Sequence, residues 1–236
     1  MQLHVGTSGY SYAEWKGSFY PEDLPASGML EHYASRLNAV EINNTFYRLP
    51  KPSVLTSWAE QVPVDFRFSI KASRKITHFA RLKPEAGDAT AYLVETLGGL
   101  GERLGTILFQ LPPNMKLDLE RLEGFLELLP AGTPAAFEFR HESWADEAVR
   151  ELLTGRGIAL VHADTDESQE DAPLVPTAPW GYLRLRRMSY TDPDLERWLE
   201  RIEGAGWSRA FVFFKHEDEA AGPRMAGRFL ELAAGR

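Results

Sequence analysis

The sequence contains no cysteine. That absence removes disulfides, thiolate nucleophiles, iron–sulfur clusters and cysteine-ligated zinc together, and a reducing, cytoplasmic setting is expected. No apolar run approaches the roughly 18–20 residues that span a bilayer, so no membrane partner is expected. The opening Met1-Gln2-Leu3-His4-Val5 has neither a basic segment nor an apolar one behind it, and no secretory leader is expected. Positive charge is in deficit: 26 Lys and Arg against 34 Asp and Glu give a net charge of −8. Such a field does not draw nucleic acid non-specifically, although a local basic patch can still hold phosphate. Neither G-x-G-x-x-G nor a glycine–lysine phosphate loop is present, and no H-E-x-x-H metal pair occurs. There is no internal repeat, low-complexity tract or linker.

What is present is an ordinary soluble composition, 44% hydrophobic and 25% charged, in 236 residues. A chain of this length buries about three quarters of its unfolded surface, so a single core needs no staples and one domain over 1–236 is expected. Eight strand-like runs stand out by β-branched and aromatic content and by alternation: Leu3–Thr7, Ala39–Asn43, Phe66–Lys71, Thr106–Gln110, Ala136–Arg140, Ala159–Asp164, Gly181–Leu185 and Ala210–Phe214. Helical patterns lie between most of them, at Gly28–Leu37, Ser53–Gln61, Asp88–Glu102, Asp118–Leu129, Asp146–Gly155, Asp192–Glu203 and Pro223–Ala233. Ser53, Asp118, Asp146 and Asp192 are placed to cap, and Gly98-Gly99 should loosen or end the third helix.

Alternating strands and helices imply parallel strands with right-handed crossovers. Eight units in this length predict an α/β fold, a (β/α)8 TIM-barrel-like domain at the small end of its size range. An open doubly wound sheet would carry a glycine-rich turn after its first strand; here that turn reads Gly6-Thr7-Ser8-Gly9-Tyr10. One unit is irregular. Thr165–Pro179, acidic and then broken by Pro173, Pro176 and Pro179, fits no helix, so the helix between strands six and seven is expected to be missing.

Strand alternation also assigns faces. Val40 and Ile42 oppose Glu41 and Asn43; Phe68 and Ile70 oppose Ser69 and Lys71; Phe137 and Phe139 oppose Glu138 and Arg140; Val161 opposes His162 and Asp164; Leu183 and Leu185 oppose Tyr182, Arg184 and Arg186. With apolar faces turned to the helices, polar faces point inward, and inward charges belong at the wet rim because an unpaired buried charge costs several kcal/mol. The predicted rim holds Ser8, Glu41, Asn43, Lys71, Gln110, Glu138, Arg140, Asp164 and Arg184, with Lys215 or His216 from the eighth strand. In such barrels the active site lies at the C-terminal ends of the strands.

Several motifs together resemble the YecE-like family, known as domain of unknown function 72. They are Gly6-Thr7-Ser8-Gly9-Tyr10-Ser11-Tyr12 with Trp15 and Phe19-Tyr20-Pro21; Val40-Glu41-Ile42-Asn43 with Thr45-Phe46-Tyr47-Arg48; Phe68-Ser69-Ile70-Lys71-Ala72 with Ile76-Thr77-His78; Phe109-Gln110-Leu111-Pro112-Pro113; Glu138-Phe139-Arg140-His141 with Ser143-Trp144; and Tyr182-Leu183-Arg184. The resemblance runs from Val5 to about Leu232 and implies a TIM barrel without a settled activity. Two stretches depart from the family pattern. Strand seven tends to end Arg-x-His-Gly in relatives but reads Arg184-Leu185-Arg186-Arg187 here, and strand eight tends to end in paired asparagines but reads Phe213-Phe214-Lys215-His216.

The rim residue types suggest several chemistries. Glu41 and Glu138 are placed either as an acid/base pair of the glycosidase kind, about 5–10 Å apart, or as ion-pair partners of Lys71, Arg140 or Arg184. Lys71 is either a base or imine-forming nucleophile with a depressed pKa or a permanent cation. Lys71, Arg140 and Arg184, with Arg74, Lys75, Arg186 and Arg187 nearby, suit a phosphate or carboxylate ligand. Tyr10, Tyr12, Trp15, Phe46, Tyr47, Trp144 and Tyr190 suit either sugar or base stacking or a lid core. His141, His162 and His216 beside the carboxylates are the only route to a divalent metal, and neighbouring arginines oppose it, so no metal or other cofactor is expected. His4, His32 and His78 are expected in packing or loop hydrogen bonds, and Ser143 with His141 lacks the third member of a triad. The expectation is therefore a small anionic or sugar-like ligand at the rim, with Glu41, Glu138 and Lys71 as catalytic candidates. Ser8, Tyr10, Asn43, Phe46, Tyr47, Gln110, Arg140, His141, Trp144, Asp164 and Arg184 are the binding candidates, for a hydrolase or lyase working without a metal. A nucleic-acid-processing barrel of the endonuclease type and a non-catalytic sensor are the alternatives.

Overall fold

A computed structural model of the chain describes residues 1–167, 172–215 and 220–236. Eight parallel strands close into one barrel in sequence order: β1 Gln2–Ser8, β2 Ala39–Ile42, β3 Arg67–Lys71, β4 Leu104–Gln110, β5 Ala135–Glu138, β6 Ala159–Asp164, β7 Trp180–Leu185 and β8 Arg209–Phe214. Closure is made by β1 pairing with β8, from Gln2 opposite Arg209 to Thr7 opposite Phe214. Around it lie α1 Met29–Ala34, α2 Pro52–Glu60, α3 Gly87–Leu97, α4 Leu119–Leu126, α5 Glu147–Arg156, α6 Asp192–Gly204 and α7 Ala221–Ala234.

Two layers of packing follow from strand alternation. Outward residues such as Val5, Val40, Phe68, Ile107, Phe137, Leu183 and Val212 meet the helices in the larger core. Inside, Trp180, Tyr182, Phe211 and Phe213 fill the barrel against Ala39, Leu108, Ala136, Ala159 and Val161. Large rings against small residues plug the interior, so the barrel is a packed core; His4 stacks on Phe211 toward the N-terminal end, and the other inward polar side chains run from the middle toward the C-terminal ends. The β1–β2 seam is tight. A Cβ on Gly6 would lie 1.8 Å from the Ala39 carbonyl oxygen. Asn38, just before β2, donates from Nδ2 to the Leu3 carbonyl (2.8 Å) and accepts from the Val5 N–H (2.7 Å), a side chain taking the place of strand backbone.

Asp118 and Asp146 cap α4 and α5 as expected. Two expected caps are corrected. Pro52 starts α2 after Lys51, so Ser53 lies inside the helix, and Thr191 caps α6 through a reciprocal box with Asp194, so Asp192 is the first helical residue. The third helix ends at Leu97 and Gly98–Arg103 continues as a 3-10 turn, with Gly101 at φ +55°, as the glycine pair predicts. No helix joins β6 to β7 among the described residues. That segment is strapped to the barrel by Thr177, whose hydroxyl donates to the Ile158 carbonyl and accepts from the Leu160 N–H, both at 2.8 Å.

The strap explains a second correction. In β6 the interior residue is Val161, whereas His162 and Asp164 face outward. The usual logic of polar-inside fails here because the segment after β6 presents polar partners to its outer face. His162 instead accepts from the Val175 N–H in the strap (3.3 Å), and Asp164 meets Arg187 and Tyr190.

Candidate functional site

The interior polar residues form one hydrogen-bonded stack rising from the middle of the barrel. Thr106 donates to the Ser69 hydroxyl (2.6 Å), Ser69 and Tyr182 share a bond of 2.6 Å, and the Tyr182 hydroxyl donates to Glu41 Oε2 (2.7 Å). Glu41 is fully buried, and its Oε1 takes Ser8 (2.9 Å), Asn43 (3.0 Å) and Arg184 Nη2 (2.7 Å). Arg184, 2% exposed, gives its other terminal nitrogen to Glu138 Oε2 at 2.6 Å. One guanidinium from β7 is thus clamped between carboxylates from β2 and β5. Burial pushes the Glu41 carboxyl up, but Arg184 and the Tyr182 and Asn43 donors outweigh it and hold the group below the usual carboxylate range. Burial likewise opposes the Arg184 charge, and Glu41 and Glu138 overcome it. Tyr182 is kept neutral by burial and by the adjacent Glu41.

Above this clamp the surface turns cationic. Lys71, ending β3, donates from Nζ to Gln110 Oε1 (2.7 Å) and lies 4.5 Å from the Phe46 ring centre. Burial, then the Arg184 charge, with a smaller push from Arg140, bring its amine down to about 8 against the partial opposition of Glu41 and Glu138. His78 packs on the same Phe46 ring at 4.8 Å, and burial followed by Lys71, Arg81 and Arg140 lowers its pKa. Arg140 is exposed, and neither it nor Lys71 touches a carboxylate among the described residues. Arg186 Nη1 stands 3.7 Å from Glu138 Oε1. Beside the mouth, between β1, β2 and α2, opens a cavity of about 300 Å³ lined by Tyr10, Tyr12, Asn43, Asn44, Arg48 and Trp58 among others. Asn43 belongs to both places, since it also donates to Glu41.

The structure therefore brings together Ser8, Glu41, Asn43, Lys71, Phe46, Gln110, Glu138 and Arg184, with Arg140 electrostatically close, and it separates others. Asp164 leaves the group to pair with Arg187 Nε (2.9 Å) and Tyr190 (2.8 Å). Trp144 is buried in a turn, stacked on Phe139 at 4.4 Å and bonded to the Met115 carbonyl, so it holds the β5–α5 loop and offers no stacking face. His141 serves the same turn, its Nδ1 meeting Ser143, whose hydroxyl accepts from Leu117. Tyr47 is exposed with Arg74 over its ring at 5.2 Å. Tyr182 and His78 are missed members. Tyr182 shares the inward face of Arg184 two residues earlier, a signal present in the alternation; His78, in the π-helical turn Lys75–Phe79 after β3, has no such signal. Among the described residues no three His, Asp or Glu side chains gather as metal ligands, and no helix is long and apolar enough to cross a membrane. His216 lies outside the described residues.

Comparison with known proteins agrees with this architecture. The Escherichia coli K12 protein YecE is 35% identical over 157 residues, which is 66% of this chain and 55% of YecE, so the match spans little more than half of that relative. Bacillus subtilis YunF is 26% identical over 237 residues, covering 92% of this chain and 79% of YunF. The crystal structure of a DUF72 family protein from Thermotoga maritima superposes with a TM-score of 0.83 at 25% identity, covering all of both chains. The family described as "Protein of unknown function DUF72" matches residues 4–236, and the chain belongs to it.

Proposed function

We propose that the barrel mouth binds a small ligand bearing a phosphate or carboxylate and acts on it as a hydrolase or lyase through its own side chains. The observation that carries this is a charge imbalance in depth. Both interior glutamates are already engaged by Arg184, while Lys71 and Arg140 above them meet no carboxylate among the described residues. Cations at a concave rim whose nearby carboxylates are already bonded to another guanidinium attract an anion, and a planar guanidinium suits phosphate or carboxylate. Asn43, Arg48 and the tyrosines of the adjoining cavity supply amide, cationic and ring contacts for the rest of a sugar-like molecule.

Roles within the site follow from exposure. Glu41 is inaccessible and saturated with donors, so it positions Arg184 and does not touch substrate. The two carboxylates grip opposite nitrogens of one guanidinium, which is not a pair set across a scissile bond. Lys71, half-buried with its amine pushed down to about 8, is suited to proton transfer or attack at neutral pH.

The test is anion binding followed by thermal unfolding and calorimetry with inorganic phosphate, pyrophosphate and citrate. At least one should raise Tm, and Arg140→Gln should weaken its binding by about tenfold or more, the loss of one charge-assisted contact, without lowering the ligand-free Tm. Equal binding by the variant, or no effect of any anion, overturns the assignment.

A further inference from the structure

Lys71 is placed unlike a lysine that serves only as a charge. Arginine already stands beside it at Arg140 and Arg184, and arginine holds phosphate or carboxylate with better geometry while remaining protonated. What lysine adds is a lone pair when neutral. Its contacts favour that state: a neutral amide acceptor in Gln110, an aromatic face in Phe46, guanidinium charges nearby and no carboxylate in contact among the described residues. With the amine at about 8, about a tenth of the molecules carry it neutral at pH 7. Glu41 and Glu138 lie close enough to favour a cation at that nitrogen without bonding to it.

We propose that Lys71 is a covalent nucleophile that forms an imine with the carbonyl carbon of an aldehyde or ketone whose phosphate or carboxylate is held by Arg140. The inference rests on the anion-binding function above and narrows it to a lyase. The Nζ lone pair adds to the carbonyl carbon, and the C=O pair moves to oxygen, which takes up a proton. The carbinolamine then loses water, leaving a protonated imine. In a substrate with a hydroxyl on the β carbon, that hydroxyl gives its proton to solvent at the mouth, its oxygen pair forms the C=O of the departing aldehyde, and the Cα–Cβ bond breaks with its pair moving to the iminium. The resulting enamine takes a proton on carbon, and water hydrolyses the imine to regenerate the amine. No oxidant or reductant enters. The carboxylates beneath favour the iminium charge, and the Phe46 face limits water on one side of the nitrogen.

Reductive trapping tests this on the intact protein. Sodium cyanoborohydride is added with pyruvate or dihydroxyacetone phosphate, and separately with formaldehyde, and modified peptides are located by mass spectrometry. At pH 7 Lys71 should methylate with formaldehyde about tenfold or more faster than exposed Lys51, Lys83 and Lys116, given its larger neutral fraction. It should also take up at least one of the two anionic carbonyls. Arg140→Gln should slow trapping by the anionic carbonyl about tenfold or more while slowing formaldehyde methylation of Lys71 much less, through the loss of the smaller Arg140 push on its amine alone, a split that loss of folding does not produce. Labelling confined to surface lysines, in protein that still binds phosphate, overturns the imine and leaves the anion site standing. Loss of both trapping and phosphate binding overturns the two together. Reactive Lys71 with equal trapping in Arg140→Gln overturns the substrate class.

Discussion

Replacing Lys71 with methionine separates the cost of placing an amine at the mouth from the fold that carries it. In the native protein burial and the Arg184 charge push the amine down to about 8, against an ordinary value of 10.5. At pH 7 the native state therefore bears a charging cost of about 2.5 pH units at about 1.4 kcal/mol each, about 3.5 kcal/mol. Methionine keeps the length of the side chain and removes the charge. It forfeits the hydrogen bond to Gln110, about 1 kcal/mol, and the attraction of the ammonium for the Phe46 ring, at most about 1 kcal/mol. The variant is therefore expected to be more stable than the wild type at pH 7 by about 1.5–2.5 kcal/mol, while losing the trapping chemistry.

The pH dependence gives the sharper check. Below about 8 both folded and unfolded wild-type chains hold the lysine proton, and the penalty is constant. Between about 8 and 10.5 the folded state has released it while the unfolded state retains it, so the unfolded state binds more protons and wild-type stability rises with pH. The variant lacks this rise, and its advantage should shrink through that window and reverse once the lysine is neutral in both states. Urea unfolding followed by tryptophan fluorescence from pH 7 to 10.5 at fixed ionic strength measures the difference, with all other lysines and tyrosines cancelling. A variant less stable than the wild type at pH 7 by about 1 kcal/mol or more, or a difference that does not move with pH, refutes the reasoning.

Gly6→Ala should prevent folding, because its methyl group would stand 1.8 Å from the Ala39 carbonyl in a seam where both sides are backbone; circular dichroism showing a native, cooperative melt would contradict the β1–β2 packing. Glu41→Gln leaves Arg184 with one carboxylate in place of two and should cost about 3–5 kcal/mol near neutrality in denaturant titrations. The sign with pH is fixed by its lowered native pKa: the Glu41 contribution is full above the ordinary glutamate value and lost as pH falls through the native one, so the gap between variant and wild type should close in acid. A gap that widens in acid would contradict the assignment.

How much of this was legible in the sequence depends on the element concerned. Strand faces have a period of two, so Glu41, Lys71, Gln110, Glu138 and Arg184 could be placed on the inner face from alternation alone, and the structure gathers them. The same logic misplaced His162 and Asp164, because it assumes that the outer face of every strand is covered by an apolar helix, and β6 is covered by a proline-containing strap with its own polar groups. Loop residues have no period to read. Trp144 and His141 were expected at the ligand, but their partners Phe139, Met115 and Ser143 close a turn, an arrangement fixed by tertiary contact alone. Ser53 failed as a cap because Pro52 already fits the first helical position, where its missing N–H leaves nothing unpaired.

The buried clamp itself needs a reason other than stability. An ion pair taken out of water gains little over well-packed apolar residues of the same volume, and the lower interior shows that this barrel fills readily with rings such as Phe211 and Phe213. What Glu41, Arg184 and Glu138 supply is position and potential. The guanidinium ties β2, β5 and β7 across the barrel through bonds of 2.6 and 2.7 Å. Glu41 and Glu138 also set carboxylate charge under Lys71, shared with Arg184 and, at 3.7 Å, with Arg186. That charge partly offsets burial and the Arg140 and Arg184 fields, which together press the Lys71 amine downward. Burial and the guanidinium charges without the carboxylates would leave that amine still lower, with less protonated imine to draw electrons; carboxylates bonded directly to it would keep it protonated and unreactive. Setting the negative charge one layer below the nucleophile gives an intermediate pKa, and this requires the carboxylates to be saturated by Arg184 and Tyr182 so that neither reaches up to Lys71.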